Sequence, residues 1–115
     1  EAWKKPSHPM FEGAKGFDVA YVLSEGTGLR AAAILRAPDS GRQMSVLTDL
    51  PGIQCYSGQG LNCSGHEGQR YATYAGMALE TQQHPDTPNH PGFGSARLKA
   101  GDEYKTTTVY AFSVN

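Results

Sequence analysis

Apolar residues in this chain recur at every second position over short runs, the period of strands that cover one face. The clearest run spans residues 103–114, where Tyr104, Thr106, Thr108, Tyr110 and Phe112 face one way and Lys105, Thr107, Val109, Ala111 and Ser113 the other. Residues 17–23 and 29–37 also read as strands, and Pro38-Asp39-Ser40-Gly41 has the composition of a tight reversal. Residues 43–48 return as the hairpin partner, Leu50-Pro51-Gly52 turns again, and residues 53–57 form a short strand. Residues 58–71, rich in Gly, Ser and Asn, read as a long loop. A strand over residues 74–82 follows, then a proline-stiffened loop to Gly94, a short strand at 95–98 and a turn at Lys99-Ala100-Gly101-Asp102. Residues 28–36 hold enough alanine for a helix, but the turn and the β-branched return strand behind them favour a hairpin. The pattern predicts an all-β, antiparallel fold.

Residues 1–16 show no consistent period and carry Pro6, Pro9, Gly13 and Gly16; they read as an irregular lead-in. The strand faces are broad for a small sandwich, as in a sheet cut from a larger one, and an open edge of that kind invites association unless another chain covers it.

The segment Gly76-Met77-Ala78-Leu79-Glu80-Thr81-Gln82-Gln83-His84-Pro85-Asp86-Thr87-Pro88-Asn89-His90-Pro91 carries the chemistry. It opens as an alternating strand and breaks into a loop with three prolines at Pro85, Pro88 and Pro91. A carboxylate at the end of a strand, beside a stiff polar loop, is placed to act as a positioned base, which points to Glu80.

This segment resembles the C-terminal signature of the aldose 1-epimerases (galactose mutarotases), in the elements Leu79 to Gln82, Pro85-Asp86, Asn89-His90-Pro91 and Phe93. Further stretches are similar to the same family in the same order: Gly16-Phe17-Asp18 with Tyr21-Val22-Leu23, the segment from Leu47 through Pro51-Gly52 to Gly58, and Leu98, Gly101, Tyr104 with Thr107-Thr108-Val109-Tyr110-Ala111-Phe112-Ser113. The resemblance implies a large antiparallel β-sandwich, of which residues 17–115 correspond to the C-terminal part. It implies that Glu80 is the general base for ring opening of an aldose such as glucose or galactose, and that Asp18 and Gln54 contact the sugar. It implies no metal and no organic cofactor. The acid partner of the family is a histidine far upstream, and none of His8, His66, His84 or His90 lies on a matching position. The resemblance therefore implies an N-terminal portion of the same enzyme as partner, whether cleaved from one precursor or expressed separately. Val19 stands where the family commonly has histidine, Cys55 where it has phenylalanine, and Gly60 where it has an aromatic residue; these changes bear on pocket shape and sugar preference.

Other readings stand beside these. Asp18 can cap a turn after Gly16, Gln54 can be a structural amide, and Glu80 can be a solvated carboxylate on an outward face. His84, Asp86 and His90 invite a metal, but the prolines between them make shared coordination awkward, and His90 suits ordering of the loop better. The stripe Tyr104, Tyr110, Phe112 reads as core packing, and Cys55 as a small buried hydrophobe rather than a nucleophile. At the level of function, a non-catalytic carbohydrate-binding β-domain is the alternative to an epimerase, and a glycosidase using Asp18 and Glu80 a more distant one.

Composition narrows the field. With 115 residues, 38% hydrophobic, and a formal net charge of -1, the chain has the make-up of one ordinary globular domain. There is no basic excess for nucleic acid, and no apolar run of membrane-spanning length. No segment resembles a signal peptide, so a cytoplasmic location with Cys55 and Cys63 as free thiols is expected.

Overall fold

The computed structural model describes residues 15–114. All but the last two residues of the irregular lead-in expected over residues 1–16 therefore lie outside the described residues. Eight strands follow in order: β1 (Asp18–Val22), β2 (Arg30–Ala37), β3 (Arg42–Thr48), β4 (Gly52–Tyr56), β5 (Cys63–Ser64), β6 (Arg70–Tyr71), β7 (Ala78–Gln82) and β8 (Thr108–Val114). The remaining regular structure among the described residues is short 3-10 turns, and no α-helix occurs there. The fold class is all-β, with antiparallel pairing, as the alternation of apolar residues predicts. Residues 30–37, alanine-rich but followed by turn chemistry, are strand. The sheets have the orders β1–β4–β7, β2–β3–β8 and β5–β6. The chain packs as two compact units, one of residues 15–20 and 54–80, the other of residues 21–53 and 81–114.

In the second unit, β2 and β3 form the expected hairpin, from Ala37 opposite Arg42 to Arg30 opposite Thr48, with an irregularity between Ala31 and Ala33. Ser40 N–H closes the turn on the Ala37 carbonyl at 3.2 Å. β3 is central, with β8 on its far side and Val46 opposite Tyr110. Central position gives β3 cover from both neighbours, and the buried apolar residues among those described are its Val46 and, just beyond it, Leu50 and Ile53.

The last strand begins at Thr108, five residues later than the alternation suggests. Asp49 is the cause: both of its carboxylate oxygens accept the Thr107 N–H at 3.0 Å, and its own N–H donates to the Thr107 carbonyl at 3.3 Å. That capture ends the ladder at residue 108. The aromatic stripe is likewise not core, since Tyr104, Tyr110 and Phe112 are 61%, 43% and 76% exposed. Among the described strands β8 pairs with β3 alone, which leaves its side chains less covered than those of β3. Residues 95–98 are exposed and form no strand; there Arg97 N–H turns back to Ser95 Oγ at 3.1 Å.

In the first unit, Ser57 is buried at 1% exposure and ties the ends of β1 and β4. Its N–H donates to the Phe17 carbonyl at 3.0 Å, and its Oγ accepts the Phe17 N–H at 2.9 Å. The long loop over 58–71 holds the small β5–β6 ladder, with Cys63 opposite Tyr71. β7 starts at Ala78 rather than at residue 74, because Tyr74 sits in the left-handed region (φ 65°) and donates its N–H to the Gly58 carbonyl at 2.9 Å. Its hydroxyl donates to the Lys15 carbonyl.

Candidate functional site

Asp18 opens β1, Gln54 stands at the middle of β4, and Glu80 at the middle of β7. The strand order β1–β4–β7 thus brings residues far apart in sequence onto three adjacent strands. Register follows from the ends of the pairing. The Gly58 Cα lies so near the Gly76 carbonyl that a Cβ there would stand 2.4 Å from its oxygen, and a Cβ on Gly52 would lie 3.4 Å from the Gln82 carbonyl oxygen. β4 and β7 therefore run antiparallel, and position 54 falls opposite position 80. Directly opposed side chains share a face.

On the other flank of β4, Gln54 Nε2 donates to Asp18 Oδ1 at 2.6 Å. All three predicted residues consequently present their side chains on one face of the sheet, with Asp18 and Glu80 exposed and Gln54 half-buried. Alternation sends Val19, Cys55 and Leu79 to the opposite face, and those three are half-buried. Tyr56 shares the face of Gln54, and its hydroxyl accepts the Gly60 N–H at 2.8 Å. Tyr56 lies within the Leu47 to Gly58 segment, but nothing in its sequence surroundings assigns its hydroxyl a role.

Chemically, this face offers acceptors. Ionised carboxylates only accept hydrogen bonds, and the Gln54 amide gives one N–H to Asp18, which leaves its carbonyl oxygen and a second N–H. Such a face suits a ligand rich in hydroxyl donors. The Glu80 carboxylate makes no hydrogen bond or ion pair to another described residue, so nothing internal competes for it. Cys55 lies behind the face as a free thiol, and burial pushes its pKa up, so it is a poor nucleophile.

The loop after β7 is ordered by its own side chains. Asp86 accepts from Asn89 Nδ2 at 2.5 Å and pairs with His90 Nε2 at 3.1 Å, and the Thr87 hydroxyl donates to the His84 carbonyl at 2.5 Å. The rings of His84 and His90 each lie 5.0 Å from the Phe93 ring. His90 thus has the loop-ordering role read from sequence, and no three metal-ligating side chains group together among the described residues.

In the second unit, Arg30 pins the Leu50-Pro51-Gly52 turn, donating through Nη2 to the Leu50 carbonyl at 2.8 Å and through Nε to the Ser24 carbonyl at 2.9 Å.

A profile of the family described as aldose 1-epimerase matches residues 3–111. The galactose mutarotase of Mus musculus is 41% identical over 101 residues, an alignment that takes in 86% of this chain and 30% of the mouse protein. The aldose 1-epimerase of Escherichia coli K12 is 38% identical over 102 residues, 85% of this chain and 30% of that enzyme. Among solved structures, the GalM/aldose epimerase homologue from C. elegans superposes with a TM-score of 0.77 at 30% identity, over 86% of this chain and 30% of that one. The chain spans about a third of the length of these relatives, and it belongs to the aldose 1-epimerase family.

Proposed function

We propose that this chain is the C-terminal portion of a mutarotase that interconverts the α and β anomers of an aldose such as glucose or galactose. The observation that carries the reading is the acceptor face on which Asp18, Gln54 and Glu80 meet from three strands. Opening a hemiacetal ring requires removal of the C1 hydroxyl proton and delivery of a proton to the ring oxygen. Glu80 is the base: its carboxylate is exposed and uncommitted. Asp18 and Gln54 take up sugar hydroxyls and hold C1 over it. Rotation about the C1–C2 bond and reclosure give the other anomer, with Glu80 returning the proton. The acid is a histidine of the N-terminal portion, which is also the chain's partner, with neither nucleic acid nor membrane involved. No helix among the described residues is long and apolar enough to cross a membrane. The free thiols of Cys55 and Cys63 suit the reducing cytoplasm in which we place the protein.

The test is Glu80→Gln in the full-length protein that contains this sequence, followed by polarimetry of a freshly dissolved single anomer. A general base is worth on the order of 10²–10⁴ in rate, and a loss of that size with sugar binding retained is expected. Turnover at the parent rate would remove Glu80 as the base.

A further inference from the structure

An ionised carboxylate has no hydrogen to give, so the 2.6 Å contact between Asp18 Oδ1 and the Gln54 side chain can only be an amide N–H donating to the carboxylate. The direction of the Gln54 amide, which shape alone would leave free to flip, is thereby set by chemistry: nitrogen toward β1, carbonyl oxygen turned from it. Across the other flank of β4 stands Glu80, directly opposed to Gln54 and without a side-chain partner among the described residues. A flipped amide would carry its N–H groups away from β1, on the face and at the cross-strand position that neighbours that carboxylate.

We propose that Asp18 is a positioning residue that acts through Gln54. By holding the amide nitrogen, it keeps Gln54 from donating to Glu80, and it presents the Gln54 carbonyl oxygen to a hydroxyl of the substrate. The inference rests on the reading of Glu80 as base. A donor on a carboxylate stabilises its charged form and weakens it as a proton acceptor, so the Asp18–Gln54 bond preserves the basicity of Glu80 from one strand away. Among the described residues, the other titratable groups on this face are Asp18 itself, Tyr56, whose hydroxyl is occupied by the Gly60 N–H, and His84, whose Nδ1 stands 3.1 Å from where a Cβ on Gly52 would lie.

Asp18→Asn supplies a carboxamide that can accept from Gln54 Nε2 or donate to Gln54 Oε1, so the amide's direction is no longer fixed and its nitrogen is free to turn toward Glu80. In the full-length protein the acidic limb of the kcat profile should move down by about one pH unit, with kcat at the plateau reduced. Loss of the Asp18 charge alone also moves that limb down, so the deciding measurement is the same substitution in a Gln54→Met background, where no amide can flip. The shift caused by Asp18→Asn should be clearly smaller with methionine at position 54; an equal shift in both backgrounds would overturn the proposal. A readout independent of turnover comes from the Gln54 side-chain amide resonances of the parent protein, which should follow the titration of Asp18 and not of Glu80. Resonances that follow Glu80 would likewise overturn it. If Glu80→Gln leaves turnover intact, the reading of the base has failed; if Glu80→Gln is inactive while the two Asp18→Asn shifts match, only the positioning role has.

Discussion

Thr48 is fully buried, and its hydroxyl accepts the Leu50 N–H at 3.1 Å while lying 3.3 Å from the Thr107 carbonyl and 3.2 Å from the Thr108 hydroxyl. Thr108 in turn meets the Thr81 hydroxyl at 2.6 Å. Thr48→Val keeps the shape and strands the Leu50 N–H, which should cost about 1–3 kcal/mol. Urea unfolding should show a lower midpoint at unchanged slope. The two thiols provide a second check at this scale. Cys63 is exposed, whereas burial raises the pKa of Cys55, so at neutral pH less of Cys55 is thiolate. Mass spectrometry after brief alkylation near pH 7 should find Cys63 modified first, with Cys55 gaining ground as the pH rises. Single residues were legible in the sequence where a motif surrounded them, as with Glu80 in its strand-to-proline segment. What could not be read is the Asp18–Gln54 bond, because strand pairing alone brings together residues 36 apart in sequence. Tyr56 and Arg30 escaped for the same reason: their partners are carbonyls and amides, which leave no signature in side-chain order.

Strands were legible to within a residue or so wherever turn chemistry bounded them, and the hairpin of β2 and β3 around Pro38-Asp39-Ser40-Gly41 is the clearest case. They were over-extended where a distant group captures the chain: Asp49 holds Thr107 ahead of β8, and the Gly58 carbonyl holds Tyr74 ahead of β7. Periodicity reports a strand's faces but not where its ladder stops. Gly58 matters most to the element that carries the site, since it has φ +68° and lies against the Gly76 backbone where β4 meets β7. Gly58→Ala adds a left-handed strain of about 1–2 kcal/mol to a backbone clash that requires the strands to part. Gly28, with φ +79° and nothing within 4 Å, isolates the strain alone. Thermal unfolding should therefore rank parent, Gly28→Ala and Gly58→Ala in falling order of Tm, and sugar binding should weaken only in the last, where the spacing of Gln54 and Glu80 is disturbed. Equal Tm values for the two variants would mean that the close approach of β4 and β7 does not constrain the sheet.

At the scale of the whole molecule, much apolar surface has no cover. Ile34, Phe112 and Val114 are 57%, 76% and 74% exposed, and β8 is the last strand of its sheet among the described residues. A formal net charge of -1 supplies little repulsion to keep copies apart. An edge strand with exposed apolar side chains and weak charge is a template for pairing with another chain. In the isolated chain a second copy can occupy that surface. The chain by itself should therefore associate as its concentration rises, with sedimentation velocity showing a growing fraction above the monomer. Phe112→Lys tests the route, because a side chain that is three-quarters exposed contributes little to folding while a lysine on the edge opposes pairing. The variant should stay monomeric to higher concentration with its Tm nearly unchanged, and association undiminished in Phe112→Lys would place the contact away from β8. Adding the N-terminal portion proposed as partner should restore mutarotation to the chain, because that portion supplies the acid; sedimentation of the mixture should then show a hetero-complex, and mutarotation without one would remove that portion as a partner.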